Sequence, residues 1–218
     1  MLTPQGKLVS DFFLIDSDQG ILIDVNSKVS EKLLKLLTLY KLRAEVRIKK
    51  TDLKVSTGIK NKPQKALEDP RHPKMGWRHY SNEDRSEKNI EWEKLRVENL
   101  IPEFGKELSS DSYIFDYGFE NLNGVAFKKG CYVGQENTAR IKLKNKLSKR
   151  LFPINLINGK LHEGESIYNN EIEIGKVLID SDYPFALIKY LNEDFDEKAN
   201  FKTKEASINI SKPDWIKN

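Results

Sequence analysis

Apolar and polar positions along the first part of the chain repeat with two different periods. Leu8–Ile15 and Ile21–Val25 are short apolar runs separated by a Ser-Asp-Gln-Gly turn, so they predict a β-hairpin. Between residues 29 and 40 the apolar side chains recur every three or four positions with lysines between them, which predicts an amphipathic helix. Asn26 or Ser27 is a suitable N-cap for that helix. This part of the chain is therefore expected to mix α and β elements.

The pattern then predicts two strands, a long loop and a second helix. Ala44–Lys50 alternates apolar and charged residues, and Leu53–Ile59 is another apolar run, so each predicts a strand. Residues 60–89 are polar and contain three prolines, which is typical of a long loop, with a strand-like stretch at Gly76–Tyr80. Helical spacing returns over Asn89–Leu100 and ends before a proline.

After residue 148 the chain consists of short apolar runs with no helical period. Asn-Gly, Glu-Gly and Asn-Asn pairs separate the runs, which is typical of a small antiparallel β barrel or sandwich. We therefore predict two domains, 1–148 and 149–218. The apolar runs are Leu151–Ile157, Ile172–Ile179, Phe185–Leu191 and Ala206–Ile210.

Composition narrows the class of protein. The chain has 218 residues, and its 37 Lys and Arg against 33 Asp and Glu give a net charge of +4. Eight of these basic residues are Arg, the residue that phosphate-binding sites favour, so charge alone does not indicate nucleic-acid binding. The longest stretch without a charged residue is nine residues, Leu151–Gly159, whereas a membrane helix needs about 20. We expect neither a membrane nor a nucleic-acid partner.

Cys131 is the single cysteine of the chain and its main candidate for chemistry. One cysteine excludes an internal disulfide, and the first residues carry no signal- or transit-peptide pattern, so we expect a cytoplasmic protein. The familiar catalytic motifs are absent, and one Cys with three scattered His does not make an ordinary zinc site. Lys128 and Lys129 favour a thiolate, and Gly130 and Gly134 allow close backbone approach. The alternative is a small buried residue at a tight turn.

Basic residues follow at every second position, at Arg140, Lys142, Lys144 and Lys146. On a strand these side chains would share one face, which could hold a polyanion. The simpler alternative is the solvated face of a strand.

The residues around Cys131 match a family motif. Residues 129–136 (KGCYVGQE), followed by Thr138-Ala139-Arg140, resemble the KGCYxGQE motif of the YgfZ family. These are folate-binding relatives of the glycine-cleavage T-protein that act in iron–sulfur cluster assembly. Other segments resemble the family in the same order and indicate its mitochondrial and α-proteobacterial branch. They are Thr3–Lys7 with Asp11, Tyr40–Ala44, Asp69–Arg71 with Gly76–Arg78, and Leu95–Glu103.

The resemblance implies an α+β fold. Residues 1–148 would form a T-protein-like folate-binding domain of ferredoxin-like layers, and 149–218 a small C-terminal antiparallel β barrel. Relatives carry a helix and a strand before the segment that corresponds to Thr3–Lys7, so the N-terminal part of the folate-binding domain is expected to be missing. The barrel agrees with the pattern of apolar runs.

The resemblance also implies a function. The chain would be an accessory factor for assembly or repair of four-iron, four-sulfur clusters, dependent on tetrahydrofolate or a derivative. Its partners would be cluster assembly proteins and client apoproteins. Cys131 would be the reactive residue and a transient cluster ligand, with no stably bound metal, because a lone thiolate cannot hold a cluster by itself.

The same resemblance assigns residues to folate binding. Trp92 would stack on the flat folate ring, although packing in the core is an equal alternative for it. The complete set is Trp92, Lys129, Gly130, Tyr132, Gly134, Gln135, Glu136 and Arg140.

Two rival functions remain open. T-proteins carry an acidic pair where this chain has Ser10 and Asp11, so aminomethyltransferase activity is not carried over. A folate-dependent one-carbon transferase would need Asp11 as its base. An RNA-binding or tRNA-modification accessory module would use the basic residues from Arg140 onward.

Overall fold

A β-hairpin and a capped helix form the first part of the fold. Strand β1 (Phe13–Ser17) pairs antiparallel with β2 (Gly20–Asp24). Helix α1 (Ser27–Tyr40) follows, and the Asn26 side chain accepts a hydrogen bond from the backbone of Lys28, as the sequence predicts. The structure is a computed structural model that describes residues 1–18, 20–143, 149–189 and 199–211.

The hairpin is shorter than predicted because its first residues bond elsewhere. Leu8 and Val9 are buried outside the sheet. The backbone N–H of Leu8 donates to the carbonyl of Ser112 at 2.9 Å, so it is not available to a hairpin partner. The start of the apolar run Leu8–Ile15 therefore bonds to the loop at Ser112, and only its end, from Phe13, pairs with β2.

A three-stranded antiparallel sheet follows, in the order β3-β5-β4. Its strands are β3 (Lys54–Gly58), β4 (Leu67–Glu68) and β5 (Trp77–Ser81), and a 3₁₀ turn at Pro73–Met75 precedes the last of them. The predicted strands at Leu53–Ile59 and Gly76–Tyr80 are thus confirmed.

Two predicted elements of this part differ in the structure. Ala44–Lys50 has no regular secondary structure, because its alternating residues find no neighbouring strand within the described ranges. The helix predicted at Asn89–Leu100 is the shorter α2 (Trp92–Glu98). Leu100 has a φ of 54°, a left-handed conformation that a continuing helix does not allow.

The basic residues after Cys131 lie on a helix, so the prediction of a shared strand face is wrong. Helix α3 (Gln135–Leu143) carries Arg140 and Lys142, and residues two apart on a helix do not face the same side. The Thr138 hydroxyl donates to the carbonyl of Gly134 at 2.9 Å and supports the first turn. Lys144 and Lys146 lie outside the described residues.

The remaining strands close into a six-stranded barrel in the order β10-β11-β6-β9-β8-β7, with every neighbouring pair antiparallel. Phe152, Ile188 and Ile208 are among the fully buried residues of its interior. The strands are β6 (Lys149–Gly159), β7 (Ser166–Asn169), β8 (Ile172–Ile179), β9 (Phe185–Lys189), β10 (Phe201–Lys202) and β11 (Ala206–Ile210).

The barrel shares a hydrophobic core with the first part of the chain. Leu151 and Phe185 of the barrel belong to the same buried cluster as Leu2, Leu8 and Leu108. The predicted barrel is therefore present and rests against the α+β part. The division into separate domains at residue 148 stays a prediction.

Candidate functional site

A cavity lies where β1 meets the three-stranded sheet. Its volume is about 440 Å³, within the range of roughly 300–1,000 Å³ usual for small-molecule sites. Apolar side chains, among them Phe12, Phe13 and Phe119, form much of its wall. The polar residues of the wall are Asp11, Glu68, Arg71, Arg78, Tyr80 and Asn123.

One side of the cavity is a half-buried network around Asp24. The Asp24 Oδ2 atom accepts hydrogen bonds from Arg78 Nε at 3.0 Å, Arg78 Nη2 at 2.5 Å and the Tyr80 hydroxyl at 2.9 Å. Burial and the nearby Asp24 carboxylate raise the pKa of Tyr80 to about 12, so the phenol remains protonated and donates. This network fixes the orientation of Arg78.

Asp69 holds the second arginine of the wall. Its carboxylate accepts from Arg71 Nε at 2.9 Å and Arg71 Nη2 at 2.6 Å, a bidentate pair. The Phe13 ring lies close to both guanidinium groups, with its centre 5.1 Å from Arg71 and 4.8 Å from Arg78. The cavity therefore has a rigid cationic and aromatic wall.

Asp11 is a wall carboxylate whose pKa is shifted by its surroundings. Burial raises the pKa of Asp11, and the neighbouring Arg71 only partly opposes this. The adjacent Ser10 is fully buried, and its hydroxyl donates to the Asp11 carbonyl at 2.8 Å. Asp11, the one acid that the sequence offered as a base, thus lines the cavity in an environment that favours its protonated form.

A buried ion pair supports the far wall of the cavity. Arg96 Nη1 donates to Glu107 Oε1 at 2.9 Å and to the carbonyl of Ile101 at 3.2 Å, and Ile101 and Pro102 line the cavity. Glu107 has no exposed side-chain surface. The segment Leu95–Glu103 therefore positions the wall and does not itself present a charge to it.

The loop that carries Cys131 packs against the turn at Thr3–Lys7. Gly134 has a φ of 84°, and a Cβ atom added there would lie 2.5 Å from the carbonyl oxygen of Thr3. A Cβ added at Gly6 would lie 3.2 Å from Asn137 Cβ, on the first turn of α3. Two segments far apart in the sequence therefore meet through glycines that leave no room for a side chain.

Cys131 itself is exposed, so its interpretation as a buried residue is wrong. A Cβ added at Gly130 would contact nothing within 4 Å. The Lys129 ammonium lies 4.7 Å from the centre of the Tyr132 ring. The thiol is thus presented at the surface beside open space.

The entry to this loop is anchored by Phe127. Its ring stacks on Phe115 with centroids 6.0 Å apart and planes 7° apart, and the Lys142 ammonium lies 4.8 Å from its centre. Lys142 also pairs with Glu120. Both ends of the loop are therefore held while its tip is exposed.

The residues predicted to bind folate do not gather around the cavity. Gln135 Oε1 accepts from the backbone of Tyr132 at 3.3 Å, and Glu136 forms an exposed ion pair with Arg140 at 3.0 Å. Trp92 packs against the buried cluster of Met75, Ile101 and Leu122. The described wall of the cavity contains none of the eight predicted residues, which are Trp92, Lys129, Gly130, Tyr132, Gly134, Gln135, Glu136 and Arg140.

Arg71, Arg78 and Tyr80 line the cavity but were not among the site residues predicted from the sequence. A usable signal was present, because Asp69–Arg71 and Gly76–Arg78 each pair an arginine with turn residues in a polar loop. Their shared partners, Asp24 and Phe13, lie far away in the sequence and become evident only in the fold.

Neither a metal centre nor a membrane span is found in the part of the chain that the structure describes. No group of three or more His, Cys, Asp or Glu side chains there could hold a metal ion. No helix there is long and apolar enough to cross a bilayer.

Comparisons with known proteins found similar sequences and a similar fold. No protein-family model matches the chain. The human "iron-sulfur cluster assembly factor IBA57, mitochondrial" is 27% identical over 187 residues, covering 72% of this chain and 52% of the human protein. The Neurospora crassa homologue of that factor is 29% identical over 189 residues, covering 70% and 43%. The chain thus spans about half the length of the curated relatives it matches.

A solved structure establishes the fold. The glycine cleavage system aminomethyltransferase T from Bartonella henselae aligns with a TM-score of 0.67 at 12% identity, covering 100% of this chain and 74% of that one. The predicted T-protein-like fold is thereby confirmed. The chain has the fold of an aminomethyltransferase T and is similar in sequence to the IBA57 iron–sulfur cluster assembly factors.

Proposed function

We propose that the chain acts in iron–sulfur cluster assembly or repair and that Cys131 is the residue that contacts the cluster. The observation that carries this proposal is the contact between the Cys131 loop and the turn at Thr3–Lys7, which leaves the thiol exposed. The similarity to proteins named as cluster assembly factors supports it. Those relatives are named as mitochondrial, whereas a cytoplasmic location for this chain stays a prediction.

The cluster would be cargo and not a resident group. A four-iron, four-sulfur cluster normally takes four thiolates, and Cys131 supplies one. The remaining ligands would come from an assembly protein or from the client apoprotein. An exposed thiol at a loop tip suits such shared, transient ligation.

The cavity is the best place for a folate. Its volume and aromatic lining suit a flat heteroaromatic ring, and Asp11, Tyr80 and Asn123 are polar wall residues that would hold ring edges. Tetrahydrofolate or a derivative would supply one-carbon carrier chemistry when bound. This placement replaces the predicted folate residues with the wall of the cavity.

Complementation tests the role of Cys131. In cells that lack the protein, Cys131→Ala should leave the activity of four-iron, four-sulfur enzymes several-fold below the level that the wild type restores. Val133→Ala, a change at an exposed residue of the same loop, should restore it fully. Both variants should accumulate like the wild type. Full restoration by Cys131→Ala at wild-type protein level would refute the proposal.

Titration with tetrahydrofolate tests the cavity. Leu67→Trp places a large ring in a half-exposed position of the cavity wall and should weaken binding, whereas Trp92→Phe, which lies outside the described wall, should not. Isothermal calorimetry reports both affinities. If Trp92→Phe weakens binding and Leu67→Trp does not, folate binds at the residues predicted from the sequence and not in the cavity.

A folate-dependent one-carbon transferase is a second candidate, because Asp11 lines the cavity with a raised pKa. Turnover of a methylamine-type donor that depends on tetrahydrofolate, and that Asp11→Asn abolishes, would support it. No turnover above buffer with folate bound would leave the assembly role as the function.

A further inference from the structure

Tyr80 carries the only hydroxyl group in the wall of the cavity, as far as the described residues form it. It lies two residues after Arg78 on β5, so both side chains point to the same face of the sheet. Asp24 pairs with both of them but is not itself part of the wall. The phenol therefore has a protein partner at Asp24 and also borders the cavity.

The direction of the hydrogen bond between Tyr80 and Asp24 is fixed by the chemistry of the two groups. The phenol has one hydrogen and donates it to Asp24 Oδ2 at 2.9 Å, and the reverse bond cannot form because a carboxylate has no hydrogen to give. Arg78 Nε lies 3.3 Å from the phenol oxygen and also donates to it. Toward a ligand, Tyr80 thus offers a lone pair and no hydrogen.

Arg78 offers the opposite capacity. Two of its nitrogens, Nε and Nη2, donate to Asp24. Its Nη1 atom lies 3.7 Å from Asp69 Oδ2, which is too far for a hydrogen bond, so this nitrogen keeps its hydrogens for a ligand. Strand β5 therefore presents a donor at Arg78 and an acceptor at Tyr80 on the same wall of the cavity.

The oxidised and reduced forms of a folate ring differ in what they offer to such a donor and acceptor. Both carry a ring carbonyl, which accepts a hydrogen bond from an arginine in either state. The ring nitrogens N5 and N8 bear only lone pairs in the fully oxidised ring, whereas in the tetrahydro ring each carries a hydrogen. The lone pair of Tyr80 complements an N–H group and repels a bare nitrogen.

We propose that Tyr80, with its hydrogen held by Asp24, is the residue that makes the cavity select a reduced folate over an oxidised one. An oxidised ring would leave the Tyr80 oxygen and a ring nitrogen facing each other without a hydrogen between them, and polar atoms that lose water without gaining a partner are costly. Asp24 acts through Tyr80 and is a positioning residue. The inference rests on the proposed placement of folate in the cavity and is independent of Cys131.

Calorimetric titration with two ligands tests the proposal, with ascorbate present to keep tetrahydrofolate reduced. The wild-type chain should bind tetrahydrofolate at least about tenfold more tightly than folic acid. Tyr80→Phe should bring the two affinities to within about threefold, mainly by weakening the binding of tetrahydrofolate. The matched control, Tyr168→Phe on barrel strand β7, removes a hydroxyl outside the described wall and should keep the wild-type ratio.

Asp24→Asn tests the direction of the hydrogen bond while Tyr80 is intact. An amide has hydrogens and can donate to the phenol oxygen, which frees the Tyr80 hydrogen to turn toward the ligand. The preference for tetrahydrofolate should therefore fall about tenfold. Equal binding of both ligands by the wild type, or a ratio that Tyr80→Phe leaves unchanged, would overturn the role of Tyr80 while folate stays in the cavity. If neither ligand binds the wild type, the proposed folate placement fails, and this inference fails with it.

Discussion

The wall of the cavity and the Cys131 loop are held in place by opposite means. Charged side chains at and behind the wall are paired away from bulk solvent, as buried Arg96 is with Glu107 and half-buried Arg78 is with Asp24. The loop is anchored by a backbone contact at Gly134 and a ring stack at Phe127, and its ion pairs are exposed. Stability should therefore depend strongly on charge in the wall and on backbone shape in the loop.

Removing one partner of the buried pair should have the largest effect. Glu107→Gln leaves Arg96 short of a charged partner in a buried site, which should cost about 3 kcal/mol of the free energy of unfolding. Urea unfolding measures this loss. The control is Glu136→Gln, which breaks the exposed pair with Arg140 and should cost less than about 1 kcal/mol. Equal losses in the two variants would remove the distinction between wall and loop.

A methyl group at Gly134 should have the next largest effect. Gly134→Ala adds a Cβ close to the Thr3 carbonyl at a left-handed φ, so we expect a loss of roughly 1–3 kcal/mol. Gly130→Ala meets open space and should change the free energy of unfolding by less than about 0.5 kcal/mol. Thermal unfolding compares the pair, and a loss at Gly130 as large as at Gly134 would contradict the described loop.

The pH dependence of stability should report Asp11. Its pKa is raised in the folded protein, so above the unfolded value the folded state retains a proton that the unfolded state releases. Stability is therefore lost as pH rises from the unfolded pKa through the folded one. Asp11→Asn should flatten this fall and give a modest gain at neutral pH. Parallel pH profiles of the free energy of unfolding for the two proteins would contradict the burial of Asp11.

The smallest effect is expected at Cys131. Because the thiol is exposed, Cys131→Ala should change the free energy of unfolding by less than about 0.5 kcal/mol. Iodoacetamide should alkylate the native chain at a rate of the same order as the urea-unfolded chain. Strong protection of the native thiol would mean that the loop covers it.

The spacing of apolar residues predicted those helices and strands that depend mainly on neighbouring residues in the sequence. The period of apolar residues identified α1, and the spaced apolar runs identified four of the six barrel strands, but not the short β7 and β10. Ala44–Lys50 has the alternation of a strand, but a strand also needs a neighbour, and alternation cannot supply one. Arg140 and Lys142 fit a strand face equally well until the first turn after Gly134 sets a helix.

The candidate site was predicted only in part, because its residues are brought together by contacts between segments far apart in the sequence. The motif around Cys131 and the segment Thr3–Lys7 were both noted in the sequence, but their contact could not be known from it. Arg78 depends on Asp24, which lies 54 residues earlier, and such long-range pairs leave no periodic signal. Asp11 was the one cavity residue named in advance.

The contact between Gly6 and the loop at Gly134 also has a kinetic consequence. These residues are nearly 130 positions apart, so the ribosome must make most of the chain before they can meet. At roughly 5–20 residues per second this delay lasts many seconds. During it Leu2 and Leu8, which are buried in the finished protein, are exposed to water. This exposed apolar surface makes the incomplete chain prone to aggregation until the rest of the buried cluster has been made.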